Sequence, residues 1–166
     1  MKNRSLIIAA LCLSLTACGT DTKTAQQPTS QVTEPTAPAT LPAPDDKGTL
    51  MNDLEYEISM GDYSESRYKD RGYYYDVIDG KYQYTICSGE FSTGGHEIDI
   101  TGLDVSDSGT VTVTVKESSP DPDSMVTEAF TYPNCIITFS HELTDGIVIK
   151  SPSGKEFEFL GKSVLN

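Results

Sequence analysis

The stretch GTVTVTVKE, residues 109–117, constrains the fold more than any other part of the chain. Val111, Val113 and Val115 alternate with Thr112, Thr114 and Lys116, so every second side chain is apolar and β-branched. In a strand successive side chains point to opposite faces, whereas a helix would scatter these valines around its circumference. The pattern predicts a strand with one buried face and one wet face. The same period recurs in HEIDI, where Ile98 and Ile100 alternate with Glu97 and Asp99. It recurs again in EFEFL, where Phe157 and Phe159 alternate with Glu156 and Glu158.

Turn chemistry joins these strands. Asp79-Gly80, between YYYDVI and KYQYTIC, predicts a two-residue hairpin, because a type I′ turn needs positive φ at both central positions. SDSG at 106–109 should turn the Ile98 strand back into the Val111 strand, and SPSG at 151–154 should join GIVIK to KEFEF. DYSESRYKD, residues 62–70, reads as one short helix with Asp62 as its N-cap. Residues 49–166 are long enough for one domain with its own core. The expected class is mainly β: a small antiparallel sandwich or half-barrel of about seven to eight strands.

Ahead of that domain the chain changes character. MKNRSLIIAALCLSLTAC sets Lys2 and Arg4 before an apolar run that ends in small residues and Cys18, the build of a secretory signal over residues 1–17. The run is too short for a transmembrane helix. Leu15-Thr16-Ala17-Cys18 resembles the bacterial lipobox, which implies acylation of Cys18 and a lipid anchor in the cell membrane or outer membrane, facing away from the cytoplasm. Residues 18–48 are rich in Thr, Pro and Ala and lack any aromatic residue, so they are expected to form a disordered tether.

Charge narrows the partners. The chain has 25 acidic and 12 basic side chains; without Lys2 and Arg4 the balance is 10 minus 25, or −15. Nucleic acid is an improbable partner, because phosphate neutralisation needs basic patches. DVSDSG at 104–109 resembles the start of a calcium loop, but Val115 stands where a bidentate Glu belongs, so a hairpin turn is the expectation.

Two cysteines fall within the domain. Cys87 lies opposite in parity to Tyr82, Tyr84 and Ile86, whereas Cys135 shares parity with Ile137 and Phe139. That parity favours two separate thiols; a Cys87–Cys135 disulfide is the alternative that an oxidising compartment allows. No close ligand spacing joins the cysteines to His96 or His141, so no metal and no other cofactor is expected. The chain shows no nucleophile elbow, no zinc-protease helix and no phosphate-binding glycine loop, and it is read as non-enzymatic. His96 shares parity with Ile98 and Ile100, so its ring is expected at the rim of the core.

Gly94-Gly95 permits a sharp change of direction and close approach by another backbone. Residues 89–139 around this pair resemble the C-terminal domain of the PrcB family, the lipoprotein subunit of a bacterial surface protease complex. Gly89, Thr93, Gly94 and Gly95 match its glycine loop, and Val113, Val115 and Glu117 its V-x-V-x-E strand. Pro120 matches its proline-rich loop, and Val126, Ala129, Thr131, Tyr132 and Pro133 its V-x-x-A-x-T-Y-P segment. His96 stands where the family has Tyr, and Ser92 where it commonly has Pro.

The resemblance implies a non-catalytic protein-binding module that assists assembly or stability of a surface or secreted protease. The expected contacts are Thr93, Gly94, Gly95, His96, Pro120 and Pro122. Two other readings stay open. One is a chagasin-like protease inhibitor presenting the same turns. The other is a lipoprotein binding a glycan or small ligand through RGYYYDVIDGKYQY, whose aromatic faces can stack on sugars.

Overall fold

The computed structural model describes residues 43–162, so the signal, Cys18 and most of the tether lie outside the described residues. Nine strands follow in order: β1 Lys47–Thr49, β2 Glu55–Met60, β3 Gly72–Ile78, β4 Lys81–Cys87, β5 Glu97–Val105, β6 Val111–Ser118, β7 Asn134–Phe139, β8 Ile147–Lys150 and β9 Phe159–Gly161. They form a six-stranded sheet in the order β1-β2-β7-β4-β3-β9 and a three-stranded sheet in the order β5-β6-β8. The result is an open sandwich, mainly β and not closed into a barrel.

The alternating residues supply the core. Val111, Val113 and Val115 of β6, Ile98 and Ile100 of β5 and Ile149 of β8 face Tyr84, Ile86, Cys135, Ile137 and Phe139 of the larger sheet in one buried cluster. The tyrosine-rich hairpin packs around it. Tyr84 is buried and meets Phe139 edge-on at 5.9 Å, and Tyr73 and Tyr75 lie 6.3 and 5.1 Å from Tyr84. Tyr73, Tyr75 and Tyr82 are half-buried against the same cluster. These rings serve as packing, and none of the four is fully exposed.

Two of the predicted turns form as expected. Asp79 and Gly80 have φ of 51° and 75°, the positive pair that a type I′ turn requires, and strands β3 and β4 pair from Ile78–Lys81 to Gly72–Cys87. At the Ser106–Gly109 turn the Ser106 N–H donates to Thr110 O at 3.0 Å and Gly109 has φ of 90°. The hydroxyls of this loop bond to one another, Ser106 Oγ to Ser108 Oγ at 2.8 Å and Ser108 Oγ to Thr110 Oγ1 at 3.3 Å.

Three expectations are corrected. The segment around residues 62–70 is no α-helix but one 3-10 turn, Ser66–Tyr68. Asp62 holds a turn ahead of it instead, accepting from the Ser64 N–H at 2.9 Å and Ser64 Oγ at 2.7 Å. The sandwich is also not wholly antiparallel, since β6 pairs with β8 and β3 with β9 in parallel.

Third, the EFEFL segment is not one strand with both phenylalanines inside. The Ser151–Gly154 turn does form, and the Phe157 N–H donates to Ile149 O at 2.8 Å, which buries Phe157 to 4%. The chain then leaves the smaller sheet and joins the larger one as β9. Phe159 is consequently 57% exposed, with its ring 5.4 Å from Tyr73. Strand parity holds only while a segment stays in one sheet.

Arg71 ties the sheets together. It precedes β3 in the larger sheet and donates to Glu117 of β6 in the smaller one at 2.8 Å, while its guanidinium lies 3.8 Å over the Phe157 ring.

Candidate protein-interaction site

Both connections at one end of the sandwich are long. Residues 88–96 lead from β4 to β5, and residues 119–133 lead from β6 to β7. Neither has enough apolar length to fold alone, and each satisfies its backbone on the other. Phe91 and Thr131 exchange N–H···O bonds of 2.9 Å in both directions. The Gly94 N–H donates to Thr127 O at 2.9 Å, and the Thr131 hydroxyl donates to Thr93 O at 2.8 Å. A short two-loop ladder results.

Gly95 sits where the loops touch. Its φ is +81°, and a Cβ there would lie 3.1 Å from Pro120 Cβ and 3.4 Å from Val126 Cγ1. Gly94 has ordinary room, 3.7 Å to Thr127 Cβ. The pair divides its work: Gly95 supplies the left-handed backbone and the close approach, while Gly94 supplies an N–H for the ladder. His96 closes the turn. Its ring stacks on Phe91 at 3.9 Å and 17°, Nε2 lies 3.3 Å from Thr93 Oγ1, and Nδ1 is buried without a hydrogen-bond partner. The ring is half-buried.

The structure therefore brings Thr93, Gly94, Gly95, His96 and Pro120 together. Pro122 lies farther along an exposed acidic tip with Asp121 and Asp123. Reading the sequence missed the two side chains that this end presents most openly, Met125 at 103% and Phe130 at 64% exposure. Both follow the proline run in a segment without period-two alternation, and no periodicity signals which way a loop residue points.

Beneath the loops lies a second, smaller cluster on the outer face of the larger sheet: Tyr68, Cys87 and Tyr132, with Tyr74 against them. Asn134 is fully buried beside it and donates from Nδ2 to Asp62 O at 2.9 Å and Tyr132 O at 2.8 Å. The Tyr132 N–H donates in turn to Tyr63 O at 2.9 Å, so the 61–71 connection, the 119–133 loop and β7 are pinned at one place.

The cysteines fall on opposite sides of this sheet. Cys135 pairs with Ile86 and faces the main core, whereas Cys87 pairs with Asn134 and faces the smaller cluster. Both thiols are free, so the disulfide alternative is not what the structure forms. Burial pushes the Cys87 thiol up to about 12 and raises that of Cys135 as well. Neither offers a thiolate near neutral pH, and the site holds no activated sulfur nucleophile. His141 is exposed, with Nδ1 3.1 Å from Ser140 Oγ.

The electrostatics at this end are one-sided. Between Lys81 and Lys150 the chain has eleven acidic residues and one basic residue, Lys116. Both loops lie wholly within that stretch.

Residues 84–140 match the family model PrcB C-terminal. The matched span begins in β4, contains β5, β6, both long loops and β7, and ends just past Phe139. The chain thus carries a PrcB C-terminal-like domain over that span. No curated protein and no solved structure matches the chain.

Proposed function

We propose that the PrcB C-terminal-like domain is a non-catalytic protein-binding module, held outside the cytoplasm by an acylated Cys18, that assists assembly or stability of a surface or secreted protease. The observation that carries this reading is the exposure of Met125 and Phe130 on a loop braced by a neighbouring loop. Large exposed apolar side chains on a braced loop fit a surface that becomes buried against a partner. Bracing lowers the ordering cost that a floppy loop would meet on binding.

The test uses the full chain in its native membrane. A protease should co-purify with the unaltered chain and be lost from the Met125→Asp/Phe130→Asp variant, whose substituted side chains are already solvent-facing. Its activity should decay faster in cells carrying the variant. Retention of the protease by the variant would refute the placement of the contact. A fall in protease activity when the chain is added would transfer the assignment to the inhibitor reading.

A further inference from the structure

The smaller sheet leaves β5 with a neighbour on one side only among the described residues, because its order is β5-β6-β8. Tyr63, from the connection between β2 and β3, hydrogen-bonds the Ile98 backbone, which therefore points away from β6 and is already occupied. Antiparallel pairing alternates along a strand, which turns the backbone groups of Ile100 to the same outer side. A bulge at Thr101 ends this run.

A second incomplete edge lies across from it. In the larger sheet β1 covers β2 only from Glu55 to Glu57, and the last bond on that side runs from the Ile58 N–H to Asp46 O at 2.6 Å. Ser59 and Met60 extend beyond it. Between the two edges lies a cleft of about 330 Å³ whose lining mixes apolar Ile58, Met60 and Ile100 with polar Asp46, Ser59 and Asp99. Met60 is 74% exposed, an unusual position for a long apolar side chain at a sheet edge.

We propose that this cleft binds an extended peptide segment of alternating apolar and basic residues, which pairs with the edge of β5 at Ile100. Backbone pairing at Ile100 supplies the direction, and Ile58 and Met60, the accessible apolar side chains of the lining, take every second side chain. Charge selects the occupant. Asp46 and Asp99 stand on the rim, Glu97 is two residues from Asp99 on β5, and among the described residues the lining contains no Lys or Arg. Lys116, the cross-strand partner of Asp99, lies across β5 on β6 and does not line the cleft. A second copy pairing through its own β5 would set Glu97 and Asp99 against like charges, which disfavours self-association through this edge. Its lining shares no residue with the loop that carries Met125 and Phe130, so either assignment can fail while the other stands.

The test titrates the full chain with two blocked nine-residue peptides, one alternating valine and lysine and the other valine and glutamate. The lysine peptide should bind about tenfold tighter, and Asp99→Lys should remove that preference. Met60→Ser, a change at an exposed position, should weaken the lysine peptide by about threefold to tenfold. Amide hydrogen exchange at Ile100 should slow by at least about tenfold in the complex. Equal affinity for the two peptides would overturn the proposal, as would binding that leaves exchange at Ile100 unchanged. Slow exchange at Ile100 before any peptide is added would show that another segment already covers the edge, and would overturn it too.

Discussion

The two ends of the sandwich close their chain in different ways. At one end Asp79-Gly80 and Ser106–Gly109 turn within a few residues, and nearby hydroxyls and glycines satisfy the backbone locally. At the other end the 88–96 and 119–133 loops satisfy each other across more than thirty residues of sequence, through Phe91–Thr131 and Gly94–Thr127. The first end closes its backbone mainly within its own turns; the second exists only once the core has brought its halves together. A surface of the second kind can change its outward residues while its ladder stays fixed, which suits a partner-binding face.

The largest effect should erase the difference by removing what both ends stand on. Phe139 is fully buried in β7, edge-on against Tyr84. Phe139→Ala should cost about 3–5 kcal/mol in denaturant unfolding, with turn and loop amides losing protection together. Protection retained at one end alone would show that the ends are not joined by one core.

Alkaline pH sharpens the comparison next, because Cys87 lies under the loop end while Cys135 lies in the shared core. Below pH 9 the thiols are protonated in both folded and unfolded chains. Between 9 and about 12 the unfolded Cys87 loses its proton while the folded one keeps it, so the unfolded state binds fewer protons and stability falls. The slope should be about 1.4 kcal/mol per pH unit for each such thiol. Unfolding curves across this range should flatten in Cys87→Ala, and an unchanged slope would contradict the assignment.

A third change separates the ends. Asn134→Ala removes the donor that pins Asp62 and Tyr132 and should cost about 1–3 kcal/mol. Exchange at Phe91, Gly94 and Thr131 should accelerate while that at Ser106 and Gly109 holds, and uniform acceleration would break the distinction.

The smallest contrast compares glycines. At Gly80, φ is +75° with open space around a new Cβ, so Gly80→Ala should cost about 1 kcal/mol of backbone strain. Gly95→Ala meets similar strain plus Pro120 at 3.1 Å and should cost more, about 1–3 kcal/mol. Equal costs, read from thermal unfolding, would mean that the loops yield freely at their contact.

What the sequence made legible follows the same division. Alternation at Val111–Val115 and Ile98–Ile100, the Asp79-Gly80 turn and the opposite parity of Cys87 and Cys135 are all short-range patterns, and each has its counterpart in the fold. The passage of the chain from β8 to β9 was hidden, because no local pattern announces that a strand will change sheets between Phe157 and Phe159. At the candidate site the glycine pair was visible as special backbone, and its position beside Pro120 was not. Met125 and Phe130 were hidden for the same reason: exposure in a loop is decided by distant segments, here the ladder to residues 91–94.

The crossing of the final strand has a consequence for the order in which the molecule can be completed. β9 is the outer neighbour of β3 in the larger sheet, and the segment leading to it carries Phe157, over which Arg71 lies. A chain that emerges from its N-terminus during synthesis has β1 to β8 available before this clasp can close. Until residues 157–161 arrive, Tyr73 lacks its Phe159 neighbour and Arg71 lacks the ring beneath it. The clasp would thus close last, and the domain would reach full resistance to unfolding only once residues 157–161 have joined it.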